Sequence, residues 1–217
     1  MNKPTSSPLK NGLEVPQELT ALDRELAPDE LHAFGEMIWD KTFSKRDFEI
    51  PAEEIPVAIG AARCFIQAAN KAMKSKHTAE QQEQIGRFWL PITSDIIHRM
   101  NINFKEFRKP IPILTMLDLH VATLDNYAAG LENSTFSGAT KHLIGAHYAD
   151  MCGTKERKLP LYQGDIPAEK QQAYLAALVK PLKYIYANER TMVPPAEKPS
   201  MPKIKTILPR NGISMPS

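Results

Sequence analysis

IPVAIGAARCFIQAANKAM, residues 55–73, is the stretch whose reading decides the fold. Ile55, Ile59, Ala62, Ile66, Ala69 and Met73 recur in steps of four and three, which keeps them on one side of a helix. Pro56 stands where a helix opens, so its missing amide costs no hydrogen bond. Gly60, Ala58, Ala61, Ala68 and Ala72 add a set of small side chains that lets neighbouring helices come close. The segment is therefore expected near the centre of a helical bundle.

The flanking sequence repeats the helical period. Upstream, Pro28 followed by Asp29 and Glu30 predicts a helix start, because acids there complement unpaired amides and the positive helix end. Leu31, Phe34, Ile38 and Trp39 form its stripe, and Leu19, Leu22 and Leu26 mark a shorter helix opened by Pro16. Downstream, Thr78 and Gln81 have capping-box spacing ahead of Ile85, Phe88, Trp89, Ile92, Ile96 and Met100. Pro91 interrupts that stripe, and the clash of its ring with the Arg87 carbonyl predicts a kink.

Residues 112–130 place Thr115, Asp118, Ala122, Asp125 and Asn126 on one narrow arc, while Met116, Leu117, Leu119, Val121, Leu124 and Tyr127 cover the remainder. A helix this apolar is expected to be enclosed, ending about Gly130. Ser137 is the predicted cap of a helix over 138–152, with Gly153 as its terminator. Asp165 is the expected cap of a last long helix carrying Tyr174, Leu178, Leu182 and Ile185, bent at Pro181. No useful run of alternating residues occurs before residue 200. The expectation is an all-α, irregular multi-helix bundle of about six to seven helices, kinked at Pro91 and Pro181, with disordered or extended termini. Residues 16–190 form a single helical domain in this reading, between a flexible segment over 1–15 and a C-terminal arm over 191–217.

Composition narrows the class. Hydrophobic residues at 42% and charged residues at 24% are those of a globular chain with a core. A net charge of +2 supplies no electrostatic footprint for nucleic acid, so no such partner is expected. The KERK run at 155–158 reads as a solvated connector, and Trp39, Phe88, Trp89, Tyr184 and Tyr186 read as core rather than as base-stacking platforms. Cys64 and Cys152 fit two reduced, buried thiols better than a disulfide framework. No membrane-spanning run and no conventional signal is seen, which points to the cytoplasm, with export by a route that reads the C-terminus left open.

Candidate chemistry gathers on Asp118, His120, Asp125, His142 and His147, with Asp150 and Cys152 nearby, because imidazole, carboxylate and thiolate carry protons and bind metals. The spacing weakens the set. His142 and His147 are five apart, roughly 140° round a helix, so they do not chelate one ion as an i, i+4 pair does. His120 projects away from Asp118, and two turns separate Asp118 from Asp125 by about 10 Å along the axis. Neither a metal nor a cofactor is expected, and no phosphate-binding loop, nucleophile elbow or zincin motif occurs.

The arm carries the stronger signal. From Pro194 to Ser217 there are six prolines and no acid after Glu197. Met201, Ile204, Ile207, Leu208, Ile213 and Met215 are spread among Lys198, Lys203, Lys205 and Arg210. In extended form Ile204, Thr206 and Leu208 face one way, which suits strand addition or a partner groove, and the prolines reduce the freedom lost on docking. Met201, Lys203, Ile204, Lys205, Ile207, Leu208, Arg210 and Ile213 are accordingly the expected partner-binding residues. They imply a non-catalytic accessory or adaptor protein with a protein partner. The alternatives are a small helical enzyme or ligand-binding protein with a pocket between the 112–130 and 138–152 helices, and an exported bacterial protein addressed by its tail.

Overall fold

A computed structural model describes residues 26–42, 55–97, 113–152 and 166–188, together with Pro209. Among them are six helices and no strand, the all-α bundle that the periodicity predicts. They are α1 (Pro28–Thr42), α2 (Ile55–Lys74), α3 (Ala79–Gln84), α4 (Ile113–Glu132), α5 (Gly138–Met151) and α6 (Ala168–Ala187). Beyond Gln84, α3 passes through a π-helical turn (Ile85–Trp89) and continues helically over 90–97. No helix among the described residues is long and apolar enough to cross a membrane. The segment over 1–15, the helix from Pro16, the KERK connector, Gly153 and the arm over 191–217 lie outside the described residues.

Local chemistry starts most of these helices. At α1 the Glu30 carboxylate reaches back one turn and accepts the amide of Ala27, the residue before Pro28, at 2.9 Å. At α3 both halves of the capping box form: the Gln81 amide donates to Thr78 Oγ1 at 3.3 Å and the Thr78 amide to Gln81 Oε1 at 3.0 Å. Ser137 caps α5 by accepting the Thr140 amide at 3.2 Å. The start of α6 differs from expectation. Its cap is Pro167 rather than Asp165, and the Pro167 carbonyl takes the amides of Lys170 and Gln171 at 3.0 Å each.

Side-chain bridges fix the topology. Lys71 Nζ on α2 donates to the Leu26 carbonyl at 3.1 Å and Gly35 backs onto Phe65, so α1 and α2 are antiparallel. Asn133 reaches Gln82 at 3.2 Å while Gly130 meets Leu90, which sets α3 and its continuation antiparallel to α4. Lys170 pairs with Asp118 and Lys180 with Asp125, which makes α4 and α6 parallel and directly packed, with α5 antiparallel to α6. Phe65, Leu117, Leu124, Tyr127, Tyr148 and Tyr174 are fully buried where these layers meet. The small side chains of α2, Ala58, Ala61, Ala62 and Ala68, are fully buried as well, which accounts for the close packing of α2 on α1. Gly130 does not end α4, which runs two residues further. A Cβ there would stand 2.7 Å from Leu90 Cδ1, so this glycine marks a close helix crossing.

Both internal prolines are built into their helices. Ahead of Pro91 the Leu90 amide bonds the Ile85 carbonyl, one residue further back than in an α-helix. The wider turn makes room where the proline ring would otherwise press on the Arg87 carbonyl. In α6 the helix continues through the buried Pro181, which offers no amide to the Ala177 carbonyl. Beside that gap the Tyr148 hydroxyl donates to the Leu178 carbonyl at 2.9 Å, pinning α5 to α6 at the interruption.

Candidate functional site

The five polar residues expected to share a site are divided between two helices, three of them on α4 and two on α5. Asp118 accepts Lys170 Nζ at 2.8 Å and Asp125 accepts Lys180 Nζ at 2.6 Å, so both carboxylates turn toward α6. His120 is buried on α4 beside Tyr174, with ring centroids 6.1 Å apart. Burial pulls its pKa down from 6.5 to about 4, which keeps the ring neutral at physiological pH. His142 and His147 are half-buried on α5. His147 meets α3's continuation, where its Nδ1 lies 3.0 Å from Ser94 Oγ. Among the described residues no three His, Cys, Asp or Glu side chains are grouped so as to hold a metal ion.

The Ser94–His147 contact resembles a nucleophile and its base, but the serine is shared. Its Oγ lies 2.8 Å from the Pro91 carbonyl as well as 3.0 Å from His147 Nδ1, so a carbonyl of its own helix competes with the imidazole for the one hydroxyl proton. Nearby, burial drives the Tyr127 hydroxyl to remain protonated far above neutral pH. Tyr148 is likewise held protonated, first by burial and then by Cys152 beside it. Both cysteines are buried thiols.

A second cluster, which sequence reading does not find, joins α3 to the start of α5. The Glu83 carboxylate accepts the Ser137 amide, the Thr140 hydroxyl and, at 3.1 Å, the Ser137 hydroxyl, with Arg87 Nε 3.5 Å away. Burial works to raise the Glu83 pKa. The hydrogen bonds from Thr140 and Ser137 and the charge of Arg87 outweigh it and hold the carboxyl below its ordinary range. A carboxylate at the amino end of a foreign helix is favoured by the unpaired amides it meets there. The only sequence trace is Glu83 one turn before Arg87, which identifies a pair but not the target.

The third arrangement is aromatic. His32 on α1 stacks on Trp89 of the π turn, with centroids 4.2 Å apart and planes inclined at 22°, and meets the Phe65 edge at 5.1 Å. Beside this slot the π turn exposes Phe88, 65% accessible, whereas its stripe position predicts a core residue. The extra residue in the turn rotates the following side chains, which moves Phe88 off the buried face. Met201, Lys203, Ile204, Lys205, Ile207, Leu208, Arg210 and Ile213 lie outside the described residues. The described body is thus a helical bundle whose polar side chains chiefly tie helix to helix. No protein-family model, curated protein or solved structure matches the chain significantly.

Proposed function

We propose that this protein is a non-catalytic accessory or adaptor that works by binding another protein, with residues 191–217 as its docking segment. The observation that carries the proposal is the arm's composition: six large apolar residues spread among four basic ones and six prolines over residues 194–217. Anchors of this kind gain free energy by filling pockets, while the basic residues orient the encounter with an acidic rim. The arrangement of the body supports the same reading. Asp118, Asp125, Glu83 and Ser94, the groups that a substrate would need, each contact a side chain from another helix or its cap. The two buried thiols favour action in the cytoplasm.

Purification of the tagged full chain from its native source, beside a chain lacking residues 194–217, tests the assignment. A photo-reactive side chain at Ile207 is expected to cross-link one protein that co-purifies stoichiometrically with the full chain and is lost on truncation. Recovery of the full chain as a lone monomer with no cross-link overturns it.

A further inference from the structure

His32 faces inward from α1 and is only 9% exposed. Each element packed around it contributes a defined neighbour. From α2 comes the edge of Phe65, and from the π turn the face of Trp89, both uncharged. From α1 itself come Glu36, whose carboxylate is 3.5 Å from Nδ1, and the more distant charge of Asp29. The Nε2 atom is buried and meets no hydrogen-bond partner among the described residues.

This environment suits the neutral ring. A proton would gain the attraction of Glu36, of Asp29 and of the indole face, yet it would place a charge in a dry aromatic slot with an unsatisfied N–H at Nε2. Burial is the larger effect and lowers the pKa from 6.5. Among the described residues the helix that carries His32 is also peripheral, since its extended contact there is with α2 alone. A charge that needs water can therefore reach it by moving one helix, without opening the α4–α6 core.

We propose that His32 is a proton-operated latch on α1: neutral, it closes α1 against Phe65 and Trp89; protonated, it withdraws to water and α1 comes away. The sign follows from linkage. The closed form disfavours the proton, so closure is complete above the ordinary imidazole range and weakens as pH falls through that range. Opening would uncover Phe65 and Trp89 together with the inner face of α1, Leu31 and Ile38. The result is an apolar surface presented only under acid conditions.

Hydrogen exchange of the full chain at pH of about 7.5 and about 5, corrected for intrinsic rates, spans the titration range of histidine. Protection of α1 is expected to fall at the lower pH while α4 and α6 keep theirs, and His32→Phe, which retains a ring but takes no proton, is expected to abolish that loss. Glu36→Gln supplies an arm with the histidine intact. Without the acid that favours protonation, the transition should move to lower pH, followed in a Trp39→Phe chain by the red shift of Trp89 emission as α1 withdraws and water reaches the indole. Unchanged α1 protection, an equal loss in His32→Phe, simultaneous loss in every helix, or a Glu36→Gln transition that does not move each overturns the latch.

Discussion

At His120 a single group links burial to the acid stability of the whole body. Its folded pKa of about 4 lies below the ordinary 6.5, so the unfolded chain takes up the proton first. The stability that results is present above about pH 6.5 and is lost as pH falls toward 4, by on the order of 3 kcal/mol over that window. His32 acts with the same sign, and Glu83 acts in a lower window. Its depressed carboxyl contributes stability that is lost only as pH falls through its folded value, below the ordinary carboxylate range. Urea midpoints measured across pH are therefore expected to decline between about 6.5 and about 4 in the native chain and to decline less steeply in His120→Gln. Parallel curves for the two proteins would remove His120 as the cause.

Among the elements, the π turn before Pro91 departs furthest from what the sequence predicts, and it depends on one glycine. Gly86 is buried where the start of α5 crosses the turn, and a Cβ there would collide with Thr140 Cγ2 and approach Phe136 to 3.1 Å. Thr140 has no room to give, because its hydroxyl is held by Glu83 and its side chain is fully buried. Gly86→Ala is thus expected to destabilise the fold by about 1–3 kcal/mol despite the gain in helix propensity, measured as a lowered denaturant midpoint with an unchanged slope. Serine at Thr140, which removes the methyl and keeps the hydroxyl, should recover part of that loss in the double variant. The contrast with the capping box is informative. Thr78 and Gln81 are three residues apart, and their bonds are fixed by local geometry, so the helix start is legible in the sequence. The exposure of Phe88 depends on a turn whose cause includes a contact 54 residues away, and the targets of Asp118, Asp125 and Glu83 depend on helix register. Periodicity therefore identified the polar arc of α4 without showing that α6 would occupy it.

For the molecule as a whole, the unequal connection of its helices decides how it opens. The central helix α4 packs against α2, α5 and α6, and its end meets α3 through Gly130 and Asn133. By contrast, α1 rests mainly on α2. Leu124 on α4 and Leu31 on α1 are both fully buried, so truncating either to alanine removes similar apolar contact and costs about 2–5 kcal/mol where it is felt. The two losses should appear in different places, because cooperative opening follows the contacts that must break together. Leu124→Ala is expected to lower the thermal midpoint and to reduce amide protection throughout α2, α4, α5 and α6. Leu31→Ala is expected to reduce protection chiefly over residues 28–42 and to leave the other helices near their native values, because α1 can part from α2 before the core yields. If Leu31→Ala instead lowers protection uniformly, α1 belongs to the same cooperative unit as α4. A proton on His32 would then have to destabilise the entire body in order to move one helix.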